Sequence, residues 1–196
     1  MKKFLLGAAA LFALPVTMAH AQDGAVAKPG TYVGIETGLN WLLTSGSYQS
    51  QTGYALGGKI GYDFVGPRLE VEGLYRHNNS SGWVNYPGAV TYVNGQINQF
   101  SLMTNALYDI TPGAKFVPYV GGGIGLAFID PSVSAGCTMC STQFAYQAMA
   151  GLGFNAAPNV RFNLETRYYG TTNPTSYNNN NISLLAGVTY KFGVAP

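Results

Sequence analysis

The sequence has few charged residues. Only 9% of its 196 residues are Asp, Glu, Lys or Arg, whereas a soluble globular domain has about 25%. The formal net charge is +2, and the basic residues are scattered rather than clustered. The composition therefore argues against a nucleic-acid partner and against an ordinary secreted globular domain.

Long hydrophobic runs are also scarce. Beyond the N-terminus no stretch of about 18 apolar residues is present, so no transmembrane helix is expected. The N-terminus itself has Lys2 and Lys3, an apolar stretch and an Ala-His-Ala ending at Ala21. This pattern predicts a cleaved secretory signal peptide over residues 1–21, followed by a short periplasmic segment, residues 22–30.

Cysteine is nearly absent. Cys137 and Cys140 are the two cysteines of the sequence, and a secreted chain exposes them to an oxidising compartment. A redox motif is expected beside a βαβ pattern, and a zinc site needs further ligands. A local disulfide is therefore the favoured interpretation, and neither a metal site nor a cofactor is predicted.

Glycine and aromatic residues are abundant, with 26 Gly, 14 Tyr and 10 Phe. Glycine weakens helices and aromatics favour strands. Segments of about ten residues alternate between apolar and small or polar side chains, the pattern of a strand that crosses a bilayer in a barrel. Eight are found, at about 31–41, 54–64, 68–77, 97–109, 116–128, 143–154, 160–169 and 182–192. The predicted fold is all-β, an eight-stranded antiparallel transmembrane up-and-down barrel over residues 31–192 with a tail at 193–196.

The connections between these segments alternate in length. Short turns follow the second, fourth and sixth segments, and longer polar connections follow the odd ones, at 44–53, 78–96, 130–142 and 170–181. This arrangement is typical of periplasmic turns and extracellular loops.

The alternation also assigns each charged residue to a face. If the face rich in Val, Ile, Leu, Phe and Tyr meets lipid, every charge within the segments falls on the inward face, six acids and six bases. Charges in a narrow lumen are tolerable when paired, so we expect a structural salt-bridge network. Symmetric hairpins would place Glu36 opposite Lys59, Lys59 opposite Glu72 and Asp63 opposite Arg68. The full set is Glu36, Lys59, Asp63, Arg68, Glu70, Glu72, Arg76, Asp109, Arg161, Glu165, Arg167 and Lys191.

Aromatic residues on the outward face fall near the segment ends, which predicts two bands at the membrane interfaces. Those near the turns are Tyr62, Phe64, Phe116, Phe154, Phe162, Tyr190 and Phe192. Those near the loops are Trp41, Tyr54, Tyr75, Phe128, Phe144, Tyr146 and Tyr168.

Three stretches carry a family resemblance: Thr31-Tyr32-Val33-Gly34, Pro118 to Gly125, and Val188-Thr189-Tyr190-Lys191-Phe192. With the eight segments, the chain resembles the small outer-membrane barrels of Gram-negative bacteria, such as the OmpA transmembrane domain, OmpX and porin-family surface antigens. The resemblance implies an outer-membrane location among lipids and lipopolysaccharide. It also implies that Phe192 is an aromatic signal read by the barrel assembly machinery, although four residues follow it.

Three functions compete. The first is a non-enzymatic barrel, expected to be a monomer, that displays four surface loops around a lumen filled by side chains; no ligand for the loops is predicted. The second is a lipid A-modifying enzyme, for which His77 at the outer rim is the available histidine of the mature chain, although its surroundings do not match a nucleophile motif. The third is a narrow porin-like channel. No catalytic residue is predicted.

Overall fold

The computed structural model describes residues 28–43, 49–50, 52–86, 89–132, 141–172 and 180–193. The predicted signal peptide lies outside these residues, as do Cys137 and Cys140. Most of each of the predicted connections 44–53, 130–142 and 170–181 also lies outside them. Within them, no helix is long and apolar enough to cross a membrane.

Eight long strands make up nearly all of the described chain, and we number them in chain order. A two-residue segment, Gln49–Ser50, pairs with Ser80 and Ser81. The strands are β1 (Gly30–Leu43), β2 (Thr52–Asp63), β3 (Pro67–Tyr86), β4 (Ala89–Asp109), β5 (Phe116–Ser132), β6 (Ser141–Ala157), β7 (Val160–Thr172) and β8 (Asn180–Lys191).

Every strand pairs antiparallel with its neighbours in sequence, and β8 pairs antiparallel with β1. The sheet is thereby closed into an up-and-down barrel with no free edge strand along its wall. The predicted fold class is confirmed. We call the end that holds the short β2–β3, β4–β5 and β6–β7 connections the turn side, and the opposite end the loop side.

The barrel buries polar side chains and exposes apolar ones. In β1, Ile35 is 66% exposed while its neighbour Glu36 is 4% exposed. The same alternation runs through the other strands because successive side chains point to opposite faces. The lumen is therefore the buried interior, and the exposed outer wall is apolar.

The β2–β3 turn shows how the short connections close. Val65 and Gly66 both have positive φ, 69° and 118°, the backbone twist that tight hairpins require. The Val65 amide donates to Asp63 Oδ1 at 2.7 Å, and the Phe64 amide donates to the Pro67 carbonyl at 2.9 Å. Asp63 thus fixes the turn through one carboxylate oxygen and leaves the other for the lumen.

The sequence predicts a long connection at 78–96, and this prediction is wrong. β3 continues to Tyr86 and β4 begins at Ala89, so most of this interval is paired strand. From Gly82 to Tyr86 the two strands pair with each other and, within the described chain, with no third strand. The sequence there lacks the lipid-facing apolar alternation because a hairpin that extends past its neighbours does not need it.

One expected register is also wrong. Lys59 lies opposite Gly34, and Glu36 lies opposite Gly57, whereas Lys59 opposite Glu72 and Asp63 opposite Arg68 are confirmed. The β1–β2 pairing is displaced by two residues from the symmetric hairpin. A shift of two leaves every side chain on its original face, so the lumen assignment is unaffected.

Candidate functional site

The twelve charged residues singled out from the sequence all lie on the lumen face. Ten are buried and two, Arg161 and Lys191, are partly buried near the turn side. The inward positions also hold tyrosines, amides and glycines. The lumen is therefore the part of the described structure in which charge is concentrated.

Arg167 on β7 is the centre of the largest cluster, which we call the Arg167 cluster. Its Nη1 donates to Glu72 Oε1 at 2.6 Å, its Nη2 to Glu36 Oε1 at 3.2 Å and its Nε to Glu165 Oε1 at 2.8 Å. Lys59 Nζ lies 2.8 Å from the other oxygen of Glu36. One guanidinium therefore bridges carboxylates on β1, β3 and β7, and these strands lie on different sides of the lumen.

A second cluster lies closer to the turn side. Asp109 meets Arg68 Nε at 3.0 Å and Arg161 Nη1 at 2.8 Å, and Lys191 Nζ lies 2.6 Å from Asp63 Oδ2. Arg68 thus pairs with Asp109 rather than with Asp63, its neighbour in register. The Asp63 carboxylate is already committed to the turn and to Lys191.

Two inward tyrosines complete the packing between these clusters. Tyr32 donates to Glu70 Oε2 at 2.7 Å, and Tyr119 donates to Glu165 Oε2 at 3.0 Å. The Arg68 guanidinium lies 4.8 Å from the Tyr119 ring centroid and 5.8 Å from that of Tyr32. Neither tyrosine is among the lumen residues predicted by number from the sequence, although the period of two that assigns the charges also places both on the inward face.

Small residues make room for this packing. A Cβ added at Gly123 would overlap the Asn105 amide, and one added at Gly151 would overlap the Tyr119 ring. Asn105 in turn donates to Glu72 Oε2 at 3.1 Å and accepts from Gln147 Nε2 at 2.7 Å. The lumen is filled by interlocking side chains at this level.

Toward the loop side the described lumen side chains are mostly uncharged. Asn40 Nδ2 donates to Asn181 Oδ1 at 2.9 Å, and Ser183 Oγ donates to Asn40 Oδ1 at 2.6 Å. Gln99 Nε2 donates to the Tyr169 hydroxyl oxygen at 2.6 Å. Arg76 is the charged member of this layer.

The polar side chains of the lumen mostly bind one another and fill the interior of the barrel. Among the described residues, no group of three His, Cys, Asp or Glu could hold a metal ion. The carboxylates of the Arg167 cluster are engaged by cations and do not face an open cleft. Such a network can hold the strands in register and obstruct passage along the barrel axis.

His77 lies outside the lumen, on the outward face of β3. Its Nδ1 lies 2.7 Å from Asn98 Oδ1, which also accepts from the Tyr75 hydroxyl at 2.9 Å, and its ring packs against Tyr54 at 5.1 Å between centroids. These contacts orient the imidazole with an amide. They bring no described hydroxyl nucleophile to its other nitrogen.

Outward-facing rings, most of them exposed, form pairs near both ends of the wall. Phe192 is 48% exposed and packs against Tyr190, and its amide donates to the Thr31 carbonyl at 2.9 Å. Two exposed rings, Phe100 and Tyr108, are not among the band residues predicted from the sequence. The ring pairs are Tyr62–Phe64, Phe116–Phe154 and Tyr190–Phe192 near the turn side, and Tyr54–Tyr75, Phe100–Phe128 and Tyr146–Tyr168 near the loop side.

A closed barrel of eight antiparallel strands with an apolar wall and a charged lumen is the architecture of small outer-membrane proteins. The chain belongs to the outer membrane protein beta-barrel domain family, whose sequence model matches residues 6–192. The protein is an outer-membrane β-barrel of the Gram-negative type, as the resemblance implied.

Relatives and solved structures agree with this assignment. Major surface antigen 4 of Anaplasma marginale is 27% identical over 133 residues, a match that spans 58% of this chain and 45% of that protein. The chain thus matches less than half the length of that relative.

Three solved barrels share the fold at low identity. Neisserial surface protein A matches with a TM-score of 0.67 and 21% identity, covering 84% of this chain and 99% of that one. OprG of Pseudomonas aeruginosa gives 0.56 and 14%, covering 83% and 96%. Ail of Yersinia pestis, solved with the heparin analogue sucrose octasulfate, gives 0.54 and 16%, covering 84% and 99%.

Proposed function

We propose that this protein is a non-enzymatic, monomeric outer-membrane protein whose barrel anchors four surface loops and whose lumen is closed to solutes. Residues 1–21 are removed as a signal peptide in this proposal. The turn side faces the periplasm and the loop side faces the exterior, the orientation usual for such barrels. The surrounding partners are outer-membrane lipids and lipopolysaccharide.

The Arg167 cluster is the observation that supports a closed lumen. Its guanidinium reaches carboxylates on three strands, so the charged groups meet across the barrel axis. An eight-stranded barrel has an interior about wide enough for side chains alone. Tyr32 and Tyr119 add bulk between this cluster and the turn side.

Planar-bilayer recording tests the closed lumen. The purified barrel is expected to show no large, stable conductance. A variant with Glu36, Glu72 and Arg167 all replaced by Ala serves as a control that the assay detects an opened lumen, and its conductance is expected to rise. Stable conductance of the unaltered barrel at the level of the triple variant would contradict the proposal.

A surface-interaction role rests on the loops. The predicted loop segments 44–53, 78–96, 130–142 and 170–181 contain no Lys or Arg, and Asp130 is their one formal charge. A sulfated polyanion such as the heparin analogue bound by Ail needs cationic partners. The proposed ligand of these loops is therefore an uncharged surface rather than a polyanion.

Cells that display the barrel can test this preference. Binding to an array of neutral and sulfated glycans is compared with that of cells displaying a variant whose residues 44–48 and 173–179 are replaced by shorter connections, so that the described strand residues are unchanged. Loss of neutral-glycan binding on shortening supports the role. Retention of the intact barrel on immobilised heparin would contradict it.

The lipid A-modifying alternative depends on His77. Its position on the outward face near the loop side would place it close to lipid headgroups, but nucleophilic catalysis needs a nucleophile within hydrogen-bond reach of the base. Mass spectrometry of lipid A decides between the two. Identical lipid A from cells with the unaltered protein and with His77→Ala is expected; a modification lost in the variant would establish an enzyme.

A further inference from the structure

Within the described chain, the ion pairs of the lumen leave one cation, Arg76, without a carboxylate. Ten of the twelve lumen charges form salt bridges; the others are Glu70 and Arg76, both on β3. Glu70 accepts from Tyr32 on the turn-side half of the strand. Arg76 lies six residues further toward the loop side, about 20 Å along an extended strand, so the two are too far apart to pair.

The Arg76 guanidinium is held rigidly on two sides. Its Nη1 donates to Ser101 Oγ at 2.8 Å, and its Cζ lies 3.9 Å from the centroid of the Tyr169 ring. Arg76 is fully buried, and its Nε and Nη2 have no hydrogen-bond partner among the residues that the structure describes. These two nitrogens form one edge of the planar guanidinium, the edge that donates two parallel N–H groups to an oxyanion.

Polar side chains occupy nearby lumen positions on the loop side. Asn78, two residues further along the same face, is buried; its amide nitrogen donates to Asn181, and its Oδ1 has no hydrogen-bond partner among the described residues. Thr171 on β7 is buried, and its hydroxyl has no partner within the described chain. Glu72 and Glu36 act on Arg76 through space but form their salt bridges with other cations. A buried arginine with no directly paired carboxylate is costly because its charge has lost water and gains only distant compensation.

We propose that the Nε–Nη2 edge of Arg76 is a binding site for a small oxyanion, a carboxylate or a phosphate, that enters the lumen from the loop side. Two parallel charge-assisted hydrogen bonds hold the anion, and Tyr169 and Ser101 keep the guanidinium in place. Entry from the turn side is blocked because the anion would have to pass the carboxylates of the Arg167 cluster. The site does not require conductance because the Arg167 cluster lies between it and the turn side.

The first test is a titration of the mature, ¹⁵N-labelled barrel in zwitterionic detergent with sodium formate, inorganic phosphate or sodium chloride at constant ionic strength. A saturable shift of the Arg76 Nε–H resonance is expected with formate or phosphate; whichever saturates at the lower concentration identifies the class. The Arg167 Nε–H, which donates to Glu165 Oε1 at 2.8 Å, is the internal control and should not shift. A non-saturating shift shared by both arginines, or one of equal size with chloride, would overturn the proposal.

Variants separate the paired N–H groups from simple charge. The anion-dependent rise in thermal unfolding temperature should vanish in Arg76→Met. In Arg76→Lys, which keeps the charge but lacks the planar edge, affinity should fall about tenfold, the loss expected for one charge-assisted hydrogen bond. Lys115→Met removes an exposed turn-side lysine and should leave the rise intact. An equal rise in Arg76→Met and the unaltered barrel would refute the site.

Discussion

Arg167 on β7 lies 2.6 Å from the carboxylate of Glu72 on β3, on the opposite wall of the barrel, and both side chains are fully buried. Strands β3 and β7 are four positions apart in a closed ring of eight, so this pair ties together walls that share no backbone hydrogen bond. Each partner depends on the other because neither reaches water.

Replacing Arg167 by Met is therefore expected to lower the free energy of unfolding by about 3–5 kcal/mol, since it leaves buried carboxylates without their cation. Urea unfolding in lipid vesicles measures the change. The double variant Arg167→Met/Glu72→Gln should recover part of the loss by removing one stranded charge. Lys115→Met, at an exposed lysine whose Nζ lies 5.6 Å from the Phe154 ring centroid, should change stability by less than about 1 kcal/mol; an equal effect of the two single variants would contradict the interpretation.

Replacing a residue of the outer wall by Arg is expected to lower the stability of the barrel by an amount that depends on the depth of that residue in the membrane. Ile35 lies near the middle of β1 and Leu43 at its loop-side end, and both are exposed on the outward face. Arg is expected to cost about 2–4 kcal/mol at Ile35 and about 0–1 kcal/mol at Leu43, because lipid-facing cations are expensive at the midplane and tolerated at the interface. Unfolding in lipid vesicles compares the two; equal costs would argue against a membrane-spanning wall.

The face of each charged residue could be predicted from the sequence because a strand has a period of two. The register displacement between Glu36 and Lys59 did not disturb this assignment. The partners of each charge could not be predicted in the same way. Arg167 reaches Glu72 and Glu36 across 95 and 131 residues of sequence, contacts that depend on how the barrel closes.

The extended β3–β4 hairpin was mispredicted for a related reason. The lipid-facing pattern identifies strands only within the bilayer, and β3 continues to Tyr86 where that pattern has ended. The lone cation Arg76 was included in a balanced set of six acids and six bases. Only the side-chain geometry shows that overall neutrality does not give every charge a partner.

The close packing around Gly151 on β6 predicts that a larger residue at this position destabilises the barrel. An added Cβ there would overlap the Tyr119 ring, whereas at Gly58 the nearest atom would be the Gly34 carbonyl oxygen at 3.4 Å. Gly151→Ala should cost about 1–3 kcal/mol through overpacking, and Gly58→Ala should be neutral or stabilise by about 0.5 kcal/mol. In a double-mutant cycle, Tyr119→Ala should remove part of the Gly151→Ala cost, and the part caused by the Leu164 carbonyl oxygen at 2.8 Å should remain; a fully additive cycle would show that Gly151 and Tyr119 do not interact.

A comparison with Phe162 can separate two roles of Phe192, contact with lipid and recognition during assembly. The two rings are similarly exposed, 48% and 52%, and belong to the same turn-side band. Because the Phe192 amide, not its ring, bonds Thr31, either ring can be removed without breaking the β1 contact. Refolded in lipid vesicles, Phe192→Ala and Phe162→Ala should lose similar stability. In cells, Phe192→Ala alone should markedly reduce the amount of folded barrel in the outer membrane, because only a ring at the end of the last strand is placed for recognition by the assembly machinery. Equal assembly of the two variants in cells would reduce Phe192 to one more lipid-facing ring.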